Sequence, residues 1–414
     1  MTVYSAVLRD HPDNIESAVR MAQFAAQGGQ TGRTLELLEG VLRHHPGDNQ
    51  LLLELAIAHA NAGDLGSGIQ VLESGLAADP SFYKGWLLLG EFRDAAGDDA
   101  MALRARFEAV TRAKRAGAWN SEDTTPRELL DPVVRAIEQV RTRRREIFYG
   151  AYENLRRTHG ANALRRVDKA LAGYLREWDA TPPDPRQRPK FLYFPDIPCP
   201  PYHDPFLQPW AQQLQDAYPV LREDALRVLD EDKHLPNFVD FREGDPVENV
   251  LKGNGPQPAW EAFFFYRHGK RYDKNHERCP RTSEVLESIE LCRIADEAPE
   301  ILFSVLTPGT HIQPHYGVTN TRLVMHLPLV VPPDCALNLI DAGEHHWKEG
   351  ELMMFDDTFK HEAWNRSSST RIILLMDCWN PHLTDVEKAA VKQMIETISA
   401  LHLSEKPRSA RVGG

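Results

Sequence analysis

A repeat of 34 residues runs through the first third of the chain and constrains its fold more than any other feature. Proline, glycine and small residues recur at this spacing in three columns: Pro12, Pro46 and Pro80; Gly29, Gly63 and Gly97; Ala22, Ala56 and Gly90. Apolar residues keep the same register, with Leu35, Ile69 and Leu103 in one column and Leu42, Leu76 and Val110 in another. A fixed period of this length indicates stacked units that each bury one face against the next unit.

The period is typical of helix–turn–helix repeats of the tetratricopeptide kind, in which small residues let paired helices approach and glycine ends the first helix. The aromatic positions of that motif are only partly present, so another array of helical hairpins remains an alternative. Both interpretations predict a helical solenoid over residues 1–118. Because such a surface has no chemistry of its own, we expect it to bind a peptide or protein partner or to dock the rest of the chain.

The 414 residues exceed the usual size of a single domain, so we expect at least two domains. A net charge of −12 argues against a nucleic-acid partner. The five cysteines contain no CxxC pair, which argues against a zinc knuckle or a disulfide framework. The N-terminus does not have the pattern of a secretion signal and no apolar run is long enough for a membrane span, so a cytoplasmic location is expected.

The sequence pattern changes twice in the middle of the chain. Residues 119–185 are predicted to be a helical connector with long helices at Arg127–Phe148 and Tyr152–Trp178. The proline-rich segment Ala180–Pro205 cannot continue a helix or a central strand, which places a domain boundary near residue 185.

The C-terminal region, residues 186–403, is predicted to be a jelly-roll or cupin-like barrel, so the fold class is multidomain α + β. A helical stretch at Gln208–Leu229 comes first, and Thr384–Leu403 closes the region as a helix with Thr384 as N-cap and Glu387 three residues on. Residues 404–414 are expected to be disordered. Short apolar runs between turn signals predict the strands Ala262–Tyr266, Ile301–Thr307, Thr321–Val331, Ala336–Ile340, Leu352–Phe355 and Arg371–Asp377.

Histidine and arginine concentrate in two blocks of this region. His315 follows one predicted strand and His361 precedes another, so a barrel can bring both to one mouth, where neutral imidazoles suit a non-haem iron site. Arg371 lies ten residues after His361 and offers a bidentate fork to a carboxylate. Ser304 and His326 lie on predicted strands of the same sheet region and can add hydrogen bonds. The spacing alone permits an iron site without requiring one.

The blocks FSVLTPGTHIQPHYGVTNTRLVMHLPL and FDDTFKHEAWNRSSSTRIILLMDCWNP resemble the aspartyl/asparaginyl β-hydroxylase family over roughly residues 190–384. Larger members of that family also carry tetratricopeptide repeats before the oxygenase domain, which is a double-stranded β-helix. The resemblance implies Fe(II) bound by His315 and His361, with 2-oxoglutarate as cosubstrate. It implies further that Ser304 and Arg371 hold the distal carboxylate of 2-oxoglutarate, that His326 contacts the carboxylate nearer the metal, and that Arg322 matches a family arginine.

Two positions depart from common patterns. Val324 stands where the family often has a second arginine, which bears on cosubstrate binding and substrate scope. Gly317 stands two residues after His315, where a facial triad has Asp or Glu, and the resemblance implies that water takes that place. His311, His345 and His346 are expected to be surface or turn residues. Asp356 and Asp357 are expected to form a turn or to support His361.

We therefore expect a 2-oxoglutarate-dependent dioxygenase that hydroxylates an unactivated carbon, with the β-carbon of Asp or Asn in a peptide or protein as substrate. Three alternatives remain open. One is a catalytically inactive repeat scaffold with a cupin-like domain, which Val324 motivates. Another is a hydroxylase of a small molecule or a lipid acyl chain. A third is a zinc hydrolase that uses the same two histidines, for which Arg371 would have no explanation.

Overall fold

The structure is a computed structural model that describes residues 2–232, 234–239, 247–253 and 259–403. The chain divides into two compact units between Ile147 and Phe148. The sequence-based boundary near residue 185 therefore lies within the second unit. The predicted disordered tail, residues 404–414, lies outside the described residues. No helix in the described part of the chain is both long enough and apolar enough to span a membrane.

The first unit is an array of helices in antiparallel pairs. Gly29, Gly63 and Gly97 have φ values of 69°, 81° and 76° and follow the first helix of each repeat, a conformation that glycine adopts without steric cost. Asp48, Asp64 and Asp98 cap the helices that follow them. The helical array predicted from the repeat is confirmed. Its helices are α1 (Thr2–Asp10), α2 (Ile15–Gln27), α3 (Thr31–Leu42), α4 (Asn49–Asn61), α5 (Leu65–Ala78), α6 (Tyr83–Ala95) and α7 (Asp99–Arg115).

Eight further helices follow, and one sequence-based helix is wrong. Gly160, with φ of 81°, ends a helix inside the predicted span Tyr152–Trp178, so two shorter helices replace it. The predicted Gln208–Leu229 stretch is likewise two helices. The set is α8 (Leu130–Gly150), α9 (Glu153–His159), α10 (Arg165–Tyr174), α11 (Ala211–Asp216), α12 (Tyr218–Glu231), α13 (Asp273–Arg278), α14 (Pro280–Glu287) and α15 (Asp385–Leu403).

The second unit contains two antiparallel sheets. Their strands are β1 (Tyr202–His203), β2 (Leu251–Gly253), β3 (Trp260–Arg267), β4 (Lys270–Arg271), β5 (Ile301–Leu306), β6 (Thr310–His315), β7 (Arg322–Val330), β8 (Cys335–Leu339), β9 (Gly343–His345), β10 (Met353–Phe355), β11 (His361–Asn365) and β12 (Arg371–Trp379). The larger sheet has the order β1-β10-β7-β12-β5-β3-β4, and the smaller has β2-β6-β11-β8-β9. All six predicted strands are present within one or two residues at each end.

Two apolar cores cover the larger sheet and its flank. Phe263, Phe303 and Leu374 belong to the core that packs the sheet against α11, α12 and α14. A second core joins α10 and α15, and it begins at Phe148, which is fully buried. This core explains why the second unit starts well before the proline-rich segment. The face of the larger sheet opposite the first core is left to line a cavity.

Candidate functional site

His315 and His361 lie directly opposite each other on neighbouring strands β6 and β11, with ring centroids 4.1 Å apart. Each ring is held by its own strand: Nδ1 of His315 lies 2.8 Å from the Gln313 carbonyl oxygen, and Nδ1 of His361 lies 2.9 Å from that of Phe359. Because a carbonyl oxygen only accepts, each Nδ1 carries the proton. Both Nε2 atoms therefore keep a lone pair that can bind a metal.

Burial keeps both imidazoles neutral. It lowers the pKa of His361 to about 3, with a further contribution from the neighbouring His315, and it lowers the pKa of His315 below its ordinary value. A neutral imidazole is the form that ligates a metal. Among the described residues no group of three or more His, Cys, Asp or Glu side chains is placed to hold a metal ion, so the site offers two protein ligands.

Gly317 is packed against the carboxyl group of Asp357. A Cβ atom at position 317 would lie 2.0 Å from Cγ of Asp357, and the Gly317 N–H donates to the Asp357 carbonyl oxygen at 2.6 Å. Burial raises the pKa of the Asp357 carboxyl to about 8, and the nearby Asp356 adds to the effect. A protonated carboxyl group thus fills the space into which a side chain at 317 would project.

Asp356 has a different role from its neighbour. Its carboxylate is buried and accepts hydrogen bonds from Nε2 of Gln187 at 2.7 Å and from the backbone N–H and hydroxyl of Thr358 at 2.9 and 2.5 Å. These contacts fix the turn that leads into β11. Asp356 therefore has the turn role expected from the sequence, whereas Asp357 lines the cavity.

Arg371 is a buried cation without a carboxylate partner among the described residues. Its side chain is 1% exposed, Nη1 lies 3.4 Å from both the carbonyl and the hydroxyl oxygen of Ser304, and Nε has no hydrogen-bond partner. The guanidinium lies over the Trp347 ring at 5.1 Å. Burial lowers its pKa to about 10, so it stays charged at neutral pH. Because a buried unpaired charge is costly, this arrangement is suited to an anionic ligand.

His326 lies between this cation and the histidine pair. It is buried, and neither ring nitrogen has a hydrogen-bond partner in the described part of the chain. Burial holds the pKa of its imidazole well below the ordinary range, and Arg371 adds to this effect. The Phe355 ring lies 5.3 Å from His326 and 5.3 Å from His361, and so links the two parts of the site. A second polar ligand atom can reach His326 here.

One cavity of about 400 Å³ joins these features and is lined by both sheets. It brings together all six site residues predicted from the sequence: His315, His361, Ser304, His326, Arg371 and Arg322. Arg322 stands apart, because its Nη1 pairs with Oδ2 of Asp377 at 2.7 Å rather than with the Arg371 subsite. Its predicted contact with 2-oxoglutarate stays a prediction.

Sequence reasoning missed much of the cavity lining, including four residues that contact or lie beside the charged groups of the site. Trp260 donates from Nε1 to the Ser304 hydroxyl at 2.9 Å, and Trp347 covers Arg371. Asp377 and Glu300 line the cavity near Arg322. The alternation of β12 was a usable signal for Asp377, since every second residue from Arg371 onward faces the cavity. Trp347 lies in a loop outside the strands, where no local pattern points to it.

Residues 215–381 match the family described as Aspartyl/Asparaginyl beta-hydroxylase. The chain is 33% identical over 184 residues to the ornithine lipid ester-linked acyl 2-hydroxylase of Rhizobium tropici, covering 44% of this chain and 61% of that protein. It is 32% identical over 185 residues to the aspartyl/asparaginyl beta-hydroxylase of Homo sapiens, covering 44% of this chain and 22% of that protein. The chain thus spans less than two thirds of the length of either relative.

Among solved structures, the Sgt2 TPR domain from Aspergillus fumigatus is similar to part of the chain at 15% identity and a TM-score of 0.26, covering 31% of this chain and 81% of that one. The assignment of the first unit as a helical repeat array rests on its own 34-residue spacing and helix bounds.

Proposed function

We propose that this chain, whose residues 215–381 match the aspartyl/asparaginyl beta-hydroxylase family, is a hydroxylase that depends on Fe(II) and 2-oxoglutarate. One observation carries the proposal: the buried, unpaired guanidinium of Arg371 shares a cavity with two neutral imidazoles whose Nε2 atoms keep their lone pairs. A zinc hydrolase would need the imidazoles but not the buried cation. An inactive scaffold would need neither.

The residues of the cavity fit an iron ion and a dicarboxylate. Two imidazoles on adjacent strands leave the remaining coordination positions open, as a bidentate cosubstrate and dioxygen require. The partnerless Nε of Arg371 and the partnerless ring nitrogens of His326 are the donors and acceptors that such a ligand would satisfy. Imidazole ligands also suit other first-row metals, so the choice of iron follows from the two-histidine set together with the dicarboxylate subsite.

Each residue then has one task. His315 and His361 hold the metal through Nε2, Arg371 and Ser304 bind the distal carboxylate, and His326 contacts the carboxylate nearer the metal. When bound, Fe(II) with 2-oxoglutarate and dioxygen supplies the oxidising chemistry that inserts oxygen into an unactivated C–H bond.

The surrounding side chains include aromatic rings and a carboxyl group that holds a proton. The Trp347 ring lies against Arg371 and the Phe355 ring lies against His361, so an aromatic ring flanks each part of the site. The Asp357 carboxyl group, with a pKa of about 8, holds a proton near neutral pH beside Gly317. It can therefore donate a hydrogen bond to a water or ligand in the cavity.

We also infer that the two antiparallel sheets are the two halves of a double-stranded β-helix. The cavity between them and the position of both histidines on the smaller sheet support this inference. The helical array of the first unit is proposed to bind a peptide or protein. The expected substrate is the β-carbon of Asp or Asn in a peptide, and the alternative is an aliphatic or acyl chain. The two differ in the charge that the cavity must accept.

Anaerobic reconstitution with Fe(II) and 2-oxoglutarate tests the proposal. The expected result is a weak metal-to-ligand charge-transfer band, lost in His361→Ala and in Arg371→Gln. Iron should still bind to Arg371→Gln, because that variant retains both imidazoles. His346→Ala and Arg366→Ala, at exposed positions, are the matched controls and should keep the band. A band that persists unchanged in His361→Ala and Arg371→Gln would show that the site is wrongly assigned.

A further inference from the structure

The strand register places Val324 beyond the proposed cosubstrate subsite. Along β12 the cavity-lining residues are Arg371, Ile373, Leu375 and Asp377. Leu375 pairs with His326 on β7, and Asp377 pairs with Val324. Six residues of strand separate Arg371 from the level of Val324, which is about 20 Å between backbones. Val324 therefore lies two residues from His326 along β7, on the side away from Arg371, where a substrate rather than 2-oxoglutarate would lie.

This arm of the cavity is apolar where it passes the histidine pair. Val324 and Leu375 face the cavity from adjacent strands, and both are partly buried. Val318, which follows His315 by three residues, is 42% exposed and lines the same space. Three aliphatic side chains from three segments therefore surround the approach to the two imidazoles. An alkyl group of a ligand would bury apolar surface here, whereas a carboxylate would lose its hydration without a partner.

At the outer end of this arm, the carboxyl groups lie among basic side chains: the lining there includes Glu297, Glu300, Asp377, Arg267, His268 and Arg322. Asp377 is already paired with Arg322, and Nη1 of Arg322 also lies 3.4 Å from the Glu297 carbonyl oxygen. Glu300 accepts the His268 backbone N–H at 2.6 Å through Oε1 and is joined at the cavity wall by the Glu297 side chain. A substrate carboxylate at this end would therefore have to compete with Asp377 for Arg322.

We propose that the carbon hydroxylated by this protein belongs to an uncharged aliphatic chain with no carboxylate beside it, and that Val324 determines this choice. The inference rests on the proposed function, because it takes the histidine pair as the reacting centre. It sets aside the side chain of Asp as substrate, since the residues that pair with Val324 on the two neighbouring strands, Asp377 and Phe355, are not cations. The shared chemistry is an alkyl segment, which an acyl chain or an aliphatic amino-acid side chain can supply.

Three probes distinguish the sources of that alkyl segment. Two are peptides identical except for a central Asp or norvaline, and the third is N-hexanoylglycinamide. Binding to the full chain is measured by equilibrium dialysis under nitrogen with Fe(II) and 2-oxoglutarate present, so that no turnover occurs. Succinate formation in air is the second measurement. The variants are Val324→Arg, which introduces a cation, Val324→Leu, which keeps the site apolar, and Leu375→Arg, which adds a cation from the neighbouring strand.

The wild type should bind at least one aliphatic probe about tenfold or more tightly than the Asp peptide, the usual scale of discrimination by a pocket of this kind. Preference for the norvaline peptide identifies an aliphatic side chain as the source, and preference for the amide identifies an acyl chain. Val324→Arg and Leu375→Arg should shift the ratio roughly tenfold toward the Asp peptide, while Val324→Leu should not. Val134→Arg, at a position 52% exposed on α8, is the control for added charge and should leave the ratio unchanged.

Two results would overturn the inference while the proposed function stands, both in a wild type that shows the charge-transfer band. In one, the Asp peptide binds at least as tightly as the better-bound aliphatic probe. In the other, neither aliphatic probe binds. A ratio unchanged in both arginine variants, with the band retained, would remove Val324 as the determinant. A wild type without the band would overturn the proposed function itself.

Discussion

At the scale of single residues, the contact between Gly317 and Asp357 decides what the site can hold. The two residues are forty positions apart in sequence, and the carboxyl group occupies the place of the missing side chain. The sequence shows that Gly317 offers no ligand, but it cannot show which other group fills the space. That information depends on the register between β6 and β11, which brings the turn before His361 against the loop after His315.

We predict that Gly317→Ala destabilises the protein by roughly 1–3 kcal/mol, because the added Cβ overlaps the Asp357 carboxyl group and forces a shift of packed atoms. In an Asp357→Ala background, which lacks Cγ and both carboxyl oxygens, the cost of the same substitution should fall below about 1 kcal/mol. Urea unfolding of the four proteins in this double-mutant cycle measures the coupling. Equal costs in both backgrounds would contradict the contact.

Glu300 is predicted to give the protein a measurable pH dependence. Burial raises the pKa of its carboxyl to about 7 from an ordinary value of 4.5. The unfolded state therefore loses its proton first as the pH rises, and the stability from a protonated Glu300, complete below pH 4.5, is lost through pH 7. Glutamine does not titrate, so between pH 4.5 and 8 the free energy of unfolding of Glu300→Gln should fall by up to about 3 kcal/mol less than that of wild type.

Urea denaturation of wild type and Glu300→Gln at several pH values measures this difference. Glu284→Gln, at an exposed position on α14, controls for the removal of a charge. If the free energies of unfolding of Glu300→Gln and wild type stay parallel across the range, Glu300 titrates as an ordinary carboxyl group and the prediction is wrong.

At the scale of elements, α15 is fixed to the second unit by its first turn. Thr384 and Glu387 form the capping box predicted from the sequence, with the Thr384 N–H donating to Oε2 of Glu387 at 2.9 Å. The same Glu387 carboxylate accepts from Nε and Nη2 of Arg166 on α10 at 2.7 and 2.5 Å. The local pattern predicted the cap, but the partner 221 positions away could not be read from it.

Glu387→Gln is expected to lower the free energy of unfolding by roughly 3 kcal/mol, because it leaves the Arg166 guanidinium with a weaker partner in a partly buried place. Glu290→Gln is the matched control: its carboxylate is 47% exposed, and its pair with Lys388 should contribute less than about 1 kcal/mol. Thermal unfolding of the two variants compares them. Similar losses in both would mean that the buried pair adds no more than a surface pair.

The strands found from sequence and those that were missed differ in composition. The six predicted strands are rich in Val, Leu, Ile and Phe, so their alternation was visible. In contrast, β6 (THIQPH) and β11 (HEAWN) have few apolar residues, because one face of each turns polar side chains toward the cavity or solvent. These two strands carry the histidine pair. Because their polar side chains serve the site, the two strands show no clear alternation of apolar residues, and the sequence did not predict them.

At the scale of the whole molecule, the site belongs to one unit. Every residue that lines the cavity lies between positions 238 and 377, inside the unit that begins at Phe148. The core around α10 and α15 includes Phe148, Tyr152 and Leu164 as fully buried residues. A boundary at residue 185 would remove these side chains, although the proline-rich segment makes it the more obvious division in the sequence.

A fragment that starts at residue 148 is therefore predicted to fold cooperatively and to show the charge-transfer band with Fe(II) and 2-oxoglutarate. A fragment that starts at residue 186 should melt at a lower temperature or fail to fold, since it loses six of the nineteen buried residues of one core. Circular dichroism melting and the absorption band compare the two. If both fragments behave alike, the helices from 148 to 174 are dispensable for the second unit.

The buried cation described at Arg371 has a consequence for the lifetime of the protein as well as for its reaction. Without an anion, the folded chain carries an uncompensated charge in its interior. A metabolite that binds there would raise stability by mass action, by about 2.7 kcal/mol at one hundred times its dissociation constant. If 2-oxoglutarate binds there as proposed, the abundance of this protein in a cell would follow the supply of that metabolite, so that scarcity of the metabolite would lower the amount of the protein.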